Sequence, residues 1–264
     1  MNVLRPHDLD AALAHLAAAP AVIVGGGTDL FPALGTRPAP GRVLDLSAIA
    51  ALRGIERRDG AWHIGAGTTW AEIVRADLPP MFDALKAAAR QVGSVQIQTT
   101  GTVAGNLCNA SPAADGVPVL MAMEAEVALA APEGRRRMPL AAFITGPRRT
   151  ELRPGEIMTG LVVPDRPGAV ARFAKLGSRS YLVISIVSVA VILWAEGGLV
   201  SGARIAVGAA SPVPMRLPEA EAALIGRALS SLADAVLPAH LAALSPIDDV
   251  RATAGYRRDA ALVL

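Results

Sequence analysis

The 264-residue chain is long enough for one large domain or two modest ones, and its 52% hydrophobic and 18% charged residues exclude disorder. A net charge of +2, from 25 basic and 23 acidic side chains, excludes a polybasic surface built for nucleic acid. The one cysteine, Cys108, excludes an intramolecular disulfide, a Cys-only zinc site and any iron–sulfur cluster held by this chain alone, while His7, His15, His63 and His240 lack ligand-like spacing, so no metal is expected.

Residues 1–10 carry Arg5, His7 and Asp8 and no apolar core, so no export signal is expected. Leu9, Leu13, Leu16 and Ala17 fall at helical spacing behind Asp8 as N-cap, and Pro20 ends that helix. Residues 21–24 read as a short buried strand running into Gly25-Gly26-Gly27, and residues 43–46 as a second strand after a loop with Pro38 and Pro40. Residues 54–58 and 61–64 flank Asp59-Gly60, a type I′ hairpin signal. Helices are predicted over 70–76 and 82–90. A polar, small-residue tract with little periodicity then fills 98–115; such a length inside a compact domain points to function.

Beyond it come a helix over 117–123, a strand over 126–130, a turn at Pro132-Glu133-Gly134, a strand over 156–163 and a linker at 164–168. Residues 181–195 form the most apolar run, 15 residues rich in Val and Ile. That is short of the roughly 20 needed to span a bilayer, so a buried strand is predicted. With no signal and one thiol, the expected compartment is the cytoplasm. Residues 187–194 and 203–207 pair through Glu196-Gly197-Gly198, and helices follow over 218–229, 231–243 and 246–261, the last with Ser245 as N-cap and Pro246 at N1. The last third is an α+β segment.

Two stretches carry candidate binding chemistry. In Gly25-Gly26-Gly27-Thr28-Asp29-Leu30, consecutive glycines after a strand free the backbone to expose successive N–H groups to an anion, though a tight turn would use the same residues. A Rossmann site is disfavoured: Leu30 stands at the third glycine position, Asp29 puts negative charge where a diphosphate would sit, and no repeated βαβ units follow. The second stretch, 99–115, alternates hydroxyls, amides and glycine N–H groups suited to phosphate and polyol oxygens. Asn109, Ser111 and Asp115 there would serve equally as turn or helix caps.

Together, in order and about seventy residues apart, the two stretches resemble the FAD-binding medium subunit of the xanthine dehydrogenase family, which includes carbon monoxide dehydrogenase and related molybdenum hydroxylases. The similarity continues through 152–164, 172–179 and Tyr256-Arg257-Arg258. The resemblance implies an α+β fold of the vanillyl-alcohol-oxidase type. Two α+β subdomains, 1–55 and 56–165, would enclose FAD, and 166–264 would form a flavoprotein C-terminal domain of antiparallel strands with a helical bundle. It implies that Ile23, Val24, Gly25, Gly26, Gly27, Thr28, Asp29 and Leu30 form the first diphosphate loop. Thr102, Val103, Ala104, Gly105 and Asn106 would form the second. Asn109 and Asp115 would approach ribityl or adenosine hydroxyls, and Val92, Met158 and Lys175 would line the cofactor. Implied partners are a large molybdopterin-binding subunit and a small [2Fe-2S] subunit, with NAD or another electron acceptor. No nucleic acid, membrane span or metal is expected, and no catalytic acid or base, since the flavin carries the chemistry.

Two other readings stay open at this point: an NAD(P)-binding Rossmann-type module resting on Gly25, Gly27 and Asp45, and a structural subunit without cofactor. The second rests on Gln98 and Ala104, where the family usually has Arg and Gly. Cys108 reads as a filler in its loop. Lys175 is either a point charge beside the flavin or a surface ammonium. Tyr181 and Trp194 read as core rather than ring-stacking residues, and residues 135–137 as a solvated hairpin end.

Overall fold

A computed structural model describes residues 2–38, 41–232 and 234–264. Pro40, expected in the loop ahead of the second strand, lies outside the described residues.

The N-terminal unit contains β1 (Asn2–Leu4), α1 (Leu9–Ala18), β2 (Val22–Val24), α2 (Leu30–Leu34) and β3 (Arg42–Asp45). Asp8 starts α1 as the sequence predicts, its carboxylate accepting from the Ala11 N–H at 2.7 Å. The helix buries Ala12, Leu13 and Leu16 in a cluster with Leu44, Ile49 and Leu52. The strands form a parallel sheet in the order β1-β3-β2. Every later strand pairing is antiparallel. A Rossmann module needs repeated parallel βαβ units, so that alternative falls.

The middle of the chain opens with the hairpin β4 (Ile55–Arg58) and β5 (Ala61–Gly65). Asp59 and Gly60 at its turn have φ of 53° and 72°, the two positive values a type I′ turn requires. Five helices follow: α3 (Trp70–Arg75), α4 (Asp83–Gln91), α5 (Val95–Thr100), α6 (Val103–Asn109) and α7 (Gly116–Ala122). Next come β6 (Glu126–Ala131), β7 (Gly134–Pro139), α8 (Leu140–Phe143), β8 (Ile144–Gly146), β9 (Arg149–Thr150) and β10 (Ile157–Pro164). The five-stranded sheet runs β4-β5-β10-β6-β7, with β10 between β5 and β6.

One expectation is corrected here: much of the aperiodic tract 98–115 is helical, in α5 and α6. Residues 135–137 lie in β7 at the end of its hairpin with β6, with Arg135 and Arg137 exposed as expected, whereas Arg136 is half-buried and makes a two-pronged bond to Glu156 at 2.7 and 2.8 Å.

The last third holds β11 (Val170–Leu176), β12 (Val187–Glu196), β13 (Leu199–Gly208), β14 (Met215–Arg216), α9 (Pro218–Leu224) and α10 (Ala254–Val263). The hairpin through Gly197 and Gly198 forms as predicted, and the sheet runs β11-β12-β13-β14. The predicted strand over 181–195 is only half right. Its first part lies ahead of β12, with Tyr181, Leu182 and Ile184 44–52% exposed. The helix expected over 231–243 is replaced by short 3₁₀ turns at Leu229–Ser231 and Pro238–Leu241. The final helix begins at Ala254 behind Thr253, not behind Ser245.

The main core joins Ile64, Trp70, Ile73, Phe82, Leu85, Leu120, Val127 and Leu161 to Ala171, Ala190 and Ile192 of the C-terminal sheet. Each fully buried large side chain contributes about 1.5–3 kcal/mol. The opposite face of that sheet packs Val187, Val189 and Val207 against Leu217, Leu224 and Ala260. Glu124, after α7, binds Arg166, Arg204 and Arg216, and the guanidinium groups of Arg166 and Arg204 lie 4.8 and 5.1 Å from the Trp194 ring centre. Among the described residues no helix is long and apolar enough to cross a membrane.

Asp249 ties α10 down. Its carboxylate accepts from the Arg251 and Ala252 N–H groups and from Arg257 and Arg251, which hold its pKa down to about 2 from an ordinary 3.8. A depressed folded-state pKa gives stability that is fully present above about 4 and lost as pH falls through about 2. Asp249→Asn therefore lowers the urea midpoint at pH 7, with a gap to the parent that closes towards pH 2; a gap independent of pH would remove this assignment.

Candidate cofactor site

The first turn leaves β2 at Gly25, and Gly27 has a φ of 70°. Phe31 N–H returns to the Gly27 carbonyl at 3.1 Å, closing the chain into α2. Among the described residues, the N–H groups of Gly25, Gly26, Gly27 and Thr28 donate to no protein acceptor. Such a row of free donors is an anion cradle.

The second turn lies between α5 and α6. Its position is fixed by three backbone bonds: Gly101 N–H to Ile97 O at 2.7 Å, Trp70 N–H to Gly101 O at 3.3 Å and Val103 N–H to Thr68 O at 3.0 Å. Thr102 caps α6, its hydroxyl accepting from the Gly105 N–H at 3.1 Å.

The turns touch. A Cβ on Gly25 would lie 2.7 Å from Thr102 Oγ1, and one on Gly26 would lie 1.9 Å from the Thr100 carbonyl oxygen. Only bare main chain fits this approach. Beside the contact opens a cavity of about 630 Å³, within the size range of small-molecule sites.

Of the residues singled out from sequence, Ile23, Val24, Gly25, Gly26, Thr102, Ala104, Gly105 and Met158 line this cavity. Ala104 sits in the first turn of α6 with no positive φ, so the residue that spoke for a lost cofactor fits its backbone without strain. Gly27, Thr28, Asp29 and Leu30 continue the first turn into α2 without lining the cavity. Val103 and Val92 pack on the main core. Asn106 is half-buried and does not line the cavity; its Oδ1 is sealed from solvent with no protein partner. Asn109 lies at the end of α6, where Oδ1 accepts from Arg148.

Asp115 and Lys175 do not line the cavity. They form an ion pair at 2.6 Å with side chains only 7% and 5% exposed, so Lys175 is no surface ammonium. Lys175 Nζ also donates to the Val183 carbonyl at 2.9 Å, and Ser185 donates to Asp115 Oδ1. Burial pushes the Asp115 pKa up, against the pull of Lys175 and Ser185. Asp115 occupies the N-cap position of α7 but makes no capping bond, so the capping role is not realised.

Thr99 and Thr100, which open the second candidate stretch, also line the cavity, whereas sequence reasoning missed Phe31, Ser47, Leu52, Arg53, Ala66, Gly67 and Leu152 as wall residues. Asp45, one of the residues on which the Rossmann-type alternative rested, also lines the cavity, accepting from Ser47 N–H at 2.9 Å and pairing with Arg5 at 3.4 Å. Cys108 is a wall residue too; burial pushes its thiol up to about 12, so it stays protonated and inert near neutrality.

The arrangement offers free backbone donors at one end and aliphatic walls from Ile23, Leu52 and Met158. It suits a long ligand with a diphosphate centre and an apolar ring; FAD has that form.

Residues 1–166 match the family described as the FAD binding domain in molybdopterin dehydrogenase, and residues 172–264 match the CO dehydrogenase flavoprotein C-terminal domain. The chain is 34% identical over 228 residues to the nicotinate dehydrogenase FAD-subunit of Eubacterium barkeri, covering 83% of this chain and 77% of that one. It is 31% identical to the carbon monoxide dehydrogenase medium chain of Hydrogenophaga pseudoflava, covering 90% and 84%. Among solved structures, reconstituted CO dehydrogenase from Oligotropha carboxidovorans superposes with a TM-score of 0.92 at 30% identity, covering all of this chain and 94% of that one.

Proposed function

The chain belongs to the FAD-binding subunits of the xanthine and CO dehydrogenase family of oxidoreductases, and on that premise we propose that it is the electron-transfer flavoprotein subunit of a molybdenum-containing hydroxylase. Its cofactor is FAD. The observation that carries this reading is the contact between the Gly25–Gly26 turn and the Thr100–Thr102 turn beside a cavity lined by both.

In this reading Ile23, Val24 and the N–H groups from Gly25 to Leu30 hold one side of the diphosphate. Thr102, Val103, Ala104, Gly105 and Asn106 hold the other, Thr102 orienting the start of α6 through its cap. Met158 and Leu52 exclude water from the apolar part. Asn106 and Asn109 shape α6 behind the cavity wall, and Asp115 and Lys175 are assigned to positioning, because each already satisfies the other. Val92 supports the cradle from the core. FAD, when bound, supplies the redox chemistry that links iron–sulfur clusters on a small partner subunit to NAD or another external acceptor.

This chain's single thiol supports placing those clusters, of [2Fe-2S] type, and the molybdopterin on partner chains of a cytoplasmic complex. We divide the chain into 1–55 and 56–165, two FAD-binding subdomains, and 166–264, the flavoprotein C-terminal domain; apart from Ile55, the first residue of β4, the three principal sheets fall within these bounds.

The test is the visible spectrum of the purified chain. We expect oxidised-flavin absorbance at about one FAD per chain and co-purification with a large and a small subunit. Protein that stays colourless after incubation with FAD overturns the reading.

A further inference from the structure

A second cavity of about 600 Å³ opens on the five-stranded sheet, and its chemistry is unlike that of the first. Arg135 and Arg137, two apart on β7, share one face of that strand. Register carries the same face across the sheet: Arg137 stands beside Ala128, Ala128 beside Gly160, and Gly160 beside Gly65. The row across the middle of the floor is therefore main chain and one methyl group, with Val162 beside His63 and Thr159 also lining the cleft. Arg58 and His63 stand on the far side, with Arg58 Nη2 3.2 Å from His63 Nδ1. Arg53 closes the end.

The charge in this cleft is not balanced. Among the described residues Arg135 and Arg137 meet no carboxylate, and Glu56, 2.9 Å from Arg58, is the one acidic wall residue. His63 reports the field: burial lowers its pKa, and the charges of Arg58 and Arg137 lower it further, while Glu56 and Asp59 oppose them. Guanidinium groups converging from both sides of a concave site match the oxygens of a phosphate, which they hold with paired bonds. The walls carry no Trp, Tyr, Phe or Met. Protein-docking surfaces concentrate such residues at their centre, so a small ligand suits this cleft better than a protein face.

We propose that the cleft between Arg58 and Arg137 binds a small, multiply charged phosphate anion, either free or as the phosphates of a nucleotide. The site is distinct from the glycine-turn cavity, although Arg53 lines both.

The test is calorimetric titration of pyrophosphate and, separately, ADP into the FAD-loaded chain at fixed ionic strength. We expect saturable one-to-one binding that weakens at least tenfold in the Arg58→Ala/Arg137→Ala double variant and is unchanged in Arg90→Ala. Tighter ADP binding assigns a nucleotide; equal affinities assign the phosphates alone. An independent readout is the His63 ring resonance, whose titration midpoint rises when the anion screens the two guanidinium groups. Absence of saturable binding, or equal affinity in the double variant, overturns the proposal. So does preference for a hexaglutamate peptide over both phosphates, which would make the cleft a docking surface for an acidic protein.

Discussion

Gly26→Ala strips the flavin from the protein while leaving the fold intact. The reason is space, since Gly26 does not have positive φ. Its new Cβ would sit 1.9 Å from the Thr100 carbonyl oxygen, 2.6 Å from the Thr100 carbonyl carbon and 3.0 Å from Gly101 Cα. These are main-chain atoms, and Gly101 is bonded on both sides, to Ile97 and Trp70, so no side-chain rotation relieves the clash. The two turns must part by about 1 Å or more to restore ordinary contact. Overpacking of this kind costs about 1–3 kcal/mol, which is roughly a tenfold to hundredfold loss of FAD affinity if it falls on the bound state. Gly25→Ala is milder, because the atom it meets is Thr102 Oγ1 at 2.7 Å, and a hydroxyl can rotate away with loss of the α6 cap. Gly41→Ala, with nothing within 4 Å, is the control. Flavin-to-protein absorbance ratios should rank Gly41→Ala, Gly25→Ala, Gly26→Ala in falling order. Full flavin content in Gly26→Ala would mean that the contact between the turns is irrelevant to binding.

Where local chemistry decides the conformation, the sequence was readable. Asp59-Gly60 needs two positive φ values and has residues that tolerate them; Asp8 has an N–H three residues on to accept from; three glycines after a strand announce a turn. Where tertiary contacts decide, it was not. Helices α5 and α6 span six and seven residues, seven of the thirteen being Thr, Gln, Gly or Asn, and both fall below the length at which helices stand alone. They are imposed by the Thr69–Thr102 bridge and the bond from Val103 to Thr68. Residues 231–243 are rich in Ala and Leu and so read as helix, but Pro238 opens a 3₁₀ turn partway along. Ser245 looked like a cap because Pro246 follows; the chain instead folds round Asp249, held by Arg251 and Arg257, and starts α10 at Thr253. At the site, the glycine turns were legible through their composition. Leu52 and Ala66, with no distinctive chemistry of their own, reach the wall only through the fold.

The pairing of Asp115 with Lys175, 60 positions apart, was equally hidden, and breaking it has the largest expected effect on stability. Asp115→Ala leaves the Lys175 ammonium, 5% exposed, with the Val183 carbonyl as its remaining partner. An uncompensated buried charge of this kind costs about 3–5 kcal/mol, or roughly 6–20 °C in Tm for a chain of this size. The pair itself is a different matter. Burial raises the Asp115 pKa in spite of Lys175, so desolvation outweighs attraction at the carboxylate. Replacing both ends with apolar groups of similar size, as in Asp115→Leu/Lys175→Met, should therefore recover most of the lost Tm; a double variant as unstable as Asp115→Ala would show that the charges themselves hold this region. The pH dependence has a fixed sign. A carboxyl whose pKa is raised by folding contributes most when protonated, below the ordinary carboxylate range, and that contribution fades as pH rises through the raised value. The difference in urea midpoint between the parent and Asp115→Asn should thus move against the parent as pH increases over that interval, the opposite direction from Asp249.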